Sequence, residues 1–136
     1  MFVNLLILDP LRDVEREIRD AAAVDPSVRA WIADLAIVYS FMFRDIAGSP
    51  TPSLHAFGLA LDLVPSSYHG RHVYWRWSRA LDRQNWYRTP LSRRWSPPQA
   101  VVRAFENNGF VWGGKWAHFD AIHFEYRPEI LRYNRG

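Results

Sequence analysis

Ser53-Leu54-His55-Ala56-Phe57-Gly58-Leu59-Ala60-Leu61-Asp62 sets an imidazole and a carboxylate seven positions apart around a glycine. From Gly58 to Val64, small or charged residues alternate with large apolar ones, which is the period of a β-strand. Gly58, Ala60 and Asp62 then share one face, and Leu59, Leu61 and Leu63 the other. The leucine face belongs against helices. The opposite face is nearly bare, which leaves space above Asp62 for a ligand. His55 lies at odd spacing from Asp62, so both can face one point only if the chain bends near Phe57-Gly58. Glycine permits such a bend at little cost.

A second cluster, Asp120-Ala121-Ile122-His123-Phe124-Glu125, lies far downstream. The chain has no cysteine, so any metal must be held by imidazole and carboxylate, a donor set that suits zinc. His55, Asp62 and His123 are the candidate ligands. Three protein ligands and an open fourth position describe a hydrolytic zinc site, not a structural one. Asp120 is also at odd spacing from His123, which places it in the loop entering the final strand. From there it can lie beside the metal as general acid/base. Arg44, flanked by Phe43 and Asp45 with Ile46 next, is the candidate partner for a developing oxyanion, because a guanidinium stays charged and offers two donors. Ser53 is a candidate to orient His55, and Glu125 to orient a ligand from behind. His118 is a candidate lining residue, although packing or exposure explains it as well. His69 and His72 read as surface-loop residues.

Working outward, Asp9-Pro10 and Asp25-Pro26 each place an N-cap acid before a proline at the first helical position. Leu11, Val14, Ile18 and Ala21 follow at helical spacing, and after Pro26 so do Val28, Trp31, Leu35 and Val38. The β-branched and aromatic run from Val38 to Arg44 suits a strand. Residues 72–87 are expected to be helical. Ser96-Pro97-Pro98-Gln99 carries the signals of a capped helix start, and Asn108-Gly109 those of its end. The final strand is expected over Ile122–Tyr126, after a Gly113-Gly114 turn. The fold class is therefore α+β, a small antiparallel sheet carrying the zinc site, packed against N-terminal and flanking helices. The 136 residues suit one domain, residues 1–136, with a helical part at about 9–42 and a metal-binding core at about 43–128.

The formal net charge is +3, and all but one of the seventeen basic residues are arginine. Many lie between Arg71 and Arg94, interleaved with Trp75, Trp77 and Trp86 and followed by Trp95. Such a stretch suits an anionic polymer, but a solvated helix face with tryptophans in the core explains it more simply. No nucleic-acid motif accompanies it, so no nucleic-acid partner is expected. No segment approaches the roughly 20 apolar residues of a membrane span, and the apolar start lacks the marks of an export signal.

The first stretch resembles the SxHxxGxAxD signature of the zinc D-Ala-D-Ala carboxypeptidase and VanY-type peptidases. Trp112-Gly113-Gly114-Lys115-Trp116 followed by Asp120–Glu125 resembles the second signature of that family, in the form typical of its L-alanyl-D-glutamate peptidase, endolysin-like branch. The resemblance spans roughly Phe43 to Pro128. It implies the hedgehog/DD-peptidase fold, Zn2+ held by His55, Asp62 and His123, Asp120 as catalytic acid/base, and a polarising role for Arg44. The implied partner is the peptidoglycan stem peptide, and the implied place of action is the cell envelope. A D-alanyl-D-alanine carboxypeptidase is the expected activity. An L-alanyl-D-glutamate endopeptidase, and a non-catalytic binding module on the same scaffold, remain open. Oligomeric state is not legible.

Overall fold

The computed structural model describes residues 3–40 and 54–134, with only the backbone at positions 55, 56, 133 and 134. Its architecture is α+β. Among the described residues there are five α-helices and one four-stranded antiparallel sheet. Helix α1 spans Leu8–Val24 and α2 Pro26–Asp34; strand β1 spans Leu35–Tyr39 and β2 Ala60–Pro65. Helix α3 (Trp75–Leu81) and α4 (Gln99–Asn107) precede β3 (Phe110–Trp112), β4 (His123–Tyr126) and α5 (Pro128–Asn134). The strand order is β1-β2-β4-β3.

The expected helical faces form the core. Val14 is buried on α1, with Leu11, Ile18 and Ala21 packed against the same cluster. Val28 and Trp31 of α2 join it, as do Val101, Val102, Ala104 and Phe105 of α4. Phe105 stacks on Phe124 of β4 with ring centroids 4.0 Å apart, which fastens helix to sheet. Asp25 caps α2 as its sequence position implies, accepting a hydrogen bond from the Ser27 backbone N–H at 2.9 Å. Its carboxyl is held below the usual value, chiefly by the Ser27 side-chain and backbone hydrogen bonds.

Several boundaries differ from expectation. Helix α1 starts before Asp9, after a 3-10 turn at Leu5–Ile7 that Asn4 caps, so Asp9 lies in the first turn and is not the cap. Helix α2 ends at Asp34, because Leu35 turns extended and Ile37, Val38 and Tyr39 pair with β2. Leu35 and Val38 therefore belong to a strand and not to the helix. The stretch expected to be helical at 72–87 keeps only α3 and a 3-10 turn at Trp86–Arg88, since the Asp82 side chain accepts from the Gln84 and Asn85 N–H groups and stops the helix. Helix α4 begins at Gln99 without a side-chain cap, the Ser96 hydroxyl bonding the Pro97 carbonyl instead. Strand β3 and helix α5 carry too short a pattern to be set apart in the sequence.

Candidate metal centre

The centre is built on β2 and β4. Asp62 is the register partner of His123 on one side and of Tyr39 on the other, so these three residues form a row across three strands. Residues in such a row, and those two positions along, share one face of the sheet. Ala60 and Glu125 therefore lie on the same face, one step along the ladder. Leu61 and Phe124 point the other way, into the core.

This face is not bare. Ala60 and Asp62 are as buried as Leu61, at 0%, 2% and 2% exposure respectively. The Ser40 hydroxyl donates to the Ala60 carbonyl, and the Trp116 ring lies beside His123 with centroids 5.3 Å apart. The Asp62 carboxylate thus sits in a largely dry setting, where its interactions are stronger than in water.

His123 Nδ1 lies 3.0 Å from Asp62 Oδ1, and His123 Nε2 lies 2.8 Å from Glu125 Oε1. Arg127 Nε stands 3.6 Å from the other Glu125 oxygen. Asp120 is half-buried in the loop before β4, paired across an isolated bridge with Tyr74. Its backbone N–H donates to the Gly113 carbonyl at 3.0 Å, and its own carbonyl accepts from His123 N–H at 3.2 Å. Ligand atoms of Asp62, Asp120 and His123 all lie within 4.8 Å of one another. Gly113 is required by space: a Cβ there would stand 2.6 Å from the Asp120 carbonyl oxygen.

Burial alone would lower the His123 pKa. The hydrogen bonds that the ring donates to Asp62 and Glu125, with the charges of Asp62 and Asp120, outweigh burial and raise it to about 9. Burial also pushes the Tyr68 hydroxyl up, and the charges of Asp120 and Asp62 add to that. Three carboxylates gathered on one buried imidazole favour a cation at this point. The nitrogen and oxygen donors are those a divalent metal such as zinc takes when no thiolate is present.

Gly58 adopts φ +67°, a left-handed bend between His55 and Asp62 at the position where the sequence requires one. His55 lies on the 3-10 turn Leu54–Phe57, but its imidazole lies outside the described residues, as do Arg44 and Ser53. His118 is exposed. It packs between Trp75 and Trp86, with centroids 4.6 and 5.6 Å away. His69 is exposed, whereas His72 is half-buried and its Nδ1 lies 2.7 Å from Ser78 Oγ. Tyr68 and Trp116 were not singled out in the sequence as neighbours of the centre. Trp116 had a signal, its place in the Gly-Gly motif; Tyr68 had none.

A family model described as D-alanyl-D-alanine carboxypeptidase matches residues 47–126, more than half of the chain. The chain belongs to this VanY-type peptidase family. It is therefore a hydrolase of the peptidase class. Neither a curated protein nor a solved structure matches it.

Proposed function

We propose that this chain is a zinc-dependent peptidase of peptidoglycan stem peptides, acting as a D-alanyl-D-alanine carboxypeptidase. The observation that carries the proposal is the pairing of Asp62 with His123 in one buried row, with the Asp120 carboxylate inside the same 4.8 Å group. His55, Asp62 and His123 would hold the zinc ion. When bound, zinc supplies a Lewis acid that polarises the scissile carbonyl and eases ionisation of water near neutral pH. Asp120 takes a proton from the attacking water as the new C–O bond forms. It then delivers that proton to the amine nitrogen as the C–N bond breaks. Glu125 holds the His123 ring through Nε2 and fixes its orientation. Arg44 would polarise the carbonyl oxygen, and Ser53 would orient His55. Residues 1–136 work as one domain of the hedgehog/DD-peptidase type.

The Gly-Gly motif and the short acid at Asp120 favour a second reading, an L-alanyl-D-glutamate endopeptidase using the same centre. Mass spectrometry of the products from defined muropeptides separates the two: loss of one terminal alanine against a cut between the first and second stem residues. Hydrolysis is expected to stop when the metal is stripped and to return with zinc. Full turnover after exhaustive metal removal refutes the mechanism. Asp120→Asn is expected to keep zinc and lose at least about 10²-fold in rate, the usual contribution of a general acid/base. Loss of zinc in that variant reassigns Asp120 as a ligand, and a wild type that binds zinc without any turnover makes the chain a binding module. The substrate places the protein at the cell envelope; among the described residues no helix is long and apolar enough to cross a membrane.

A further inference from the structure

Strand β4 and its continuation place His123, Glu125 and Arg127 at two-residue spacing, and Glu129 stands in the first turn of α5 just beyond. The Arg127 backbone N–H donates to the Gly109 carbonyl at 2.8 Å. The pairing of β4 with β3 thus carries on past Tyr126, and Arg127 keeps to the sheet face of His123 and Glu125.

The Glu125 carboxylate is divided between its two neighbours. Oε1 accepts from His123 Nε2 at 2.8 Å, and Oε2 lies 3.6 Å from Arg127 Nε. That nitrogen is buried without a hydrogen-bond partner, and a Glu129 oxygen lies 3.5 Å from it. A donor left in this state opposes folding unless another interaction holds it in place. At these distances the guanidinium acts on the acids by charge and not by a hydrogen bond. The two acids are unequal: the Glu125 side chain is 14% exposed and that of Glu129 66%. Attraction to Glu125 is therefore little screened, whereas water screens most of the attraction to Glu129. A cation by itself would repel a metal ion. Here the Glu125 carboxylate links the guanidinium to the ring, and the Arg127 side chain is 40% exposed, so direct repulsion is damped.

We propose that Arg127 is a positioning residue of the metal centre, acting through Glu125 on the orientation of the His123 ring. The proposal rests on the reading of His123 as a zinc ligand. With Oε2 drawn to the guanidinium, the carboxylate plane is fixed and Oε1 stays on Nε2. Without Arg127 the carboxylate turns freely, and the ring must be ordered at the moment the ion binds, which weakens the site.

The test is a double-mutant cycle of Arg127→Gln and Glu125→Gln, read as zinc affinity of the folded protein by chelator competition. Arg127→Gln is expected to weaken zinc binding by about tenfold, the lower end of the range for groups that orient a ligand. In the Glu125→Gln background the same change is expected to weaken it by less than about twofold, since the carboxylate that transmits the effect is gone. Arg127→Lys keeps the charge and is expected to recover most of the loss. Equal losses in the two backgrounds mark Arg127 as merely structural and overturn the proposal. Unchanged or tighter zinc binding in Arg127→Gln overturns it as well, because the guanidinium then does not steady the ring. A wild type that takes up no zinc defeats the zinc reading and this proposal with it; zinc uptake with an additive cycle defeats the proposal alone. If Arg127→Gln does not fold, Arg127→Met keeps the apolar stem and the same cycle decides.

Discussion

Replacing Gly113 by alanine tests the geometry on which the centre depends. The added Cβ would lie 2.6 Å from the Asp120 carbonyl oxygen, where ordinary contact begins at 3.4 Å, so the backbone must open by about 0.8 Å. The same methyl would stand 3.3 Å from both Cβ and O of His123. Relief by a neighbouring side chain is not available, because the nearest atom is backbone. The Gly113 carbonyl also receives the N–H groups of Asp120 and Trp116, so the displacement passes directly to the acid and to the ring beside His123. A misplacement on the order of 1 Å costs about 10²-fold in rate. Gly113→Ala is accordingly expected to lower kcat/KM by about 10²-fold, which corresponds to about 2.7 kcal/mol. The assay is steady-state hydrolysis of a free stem peptide, with zinc content and thermal melting measured in parallel. Gly70→Ala is the companion: Gly70 has φ +73° with nothing within 4 Å, so alanine there costs about 1 kcal/mol of stability and leaves kcat/KM alone. Near-native turnover in folded Gly113→Ala would show that Asp120 is not held where the chemistry needs it.

Three further outcomes follow from the packing and the charges. Glu125→Ala should weaken zinc binding by about 10- to 100-fold in a chelator competition, because His123 loses the carboxylate on Nε2; an unchanged dissociation constant removes Glu125 from the centre. Phe124→Ala should cost about 3–5 kcal/mol in denaturant unfolding, since Phe124 is fully buried and stacked on Phe105; a loss below about 1 kcal/mol would mean that the sheet does not depend on this ring. The Asp25 carboxyl titrates below its unfolded value of 3.8, so the stability it adds is complete above that value and disappears as pH falls through the folded one. The melting temperature of Asp25→Ala should therefore lie below wild type at neutral pH and converge with it in strong acid, and a gap independent of pH contradicts the cap.

The sequence was most legible where chemistry and period coincide. The alternation through Ala60, Leu61, Asp62 and Leu63 correctly separated the core face from the face that carries the acid, and the spacing around Gly58 correctly required a bend. What alternation cannot show is cover. Small residues at Gly58 and Ala60 read as open space, yet Ala60 and Asp62 are buried, and burial depends on remote parts of the chain. Helix ends were blurred for a related reason. Leu35 and Val38 fit a helical spacing, and only pairing with Pro65 and Leu63 makes them a strand. The short elements β3 and α5 hold too few residues for any period to emerge. In the arginine-rich segment tryptophan suggests a core, whereas Trp95 alone is buried there, Trp75 and Trp86 are half-buried and Trp77 is exposed.

The backbone N–H of Asn4 donates to the Gly58 carbonyl at 3.0 Å, and a Cβ on Gly58 would fall 2.7 Å from that same nitrogen. The backbone at Asn4 is thereby clipped onto the kink that leads into Asp62. Deleting the segment at Val3-Asn4 would unfasten that kink from a distance. An assay of protein lacking that segment would then report damage that no residue near the reacting bond explains.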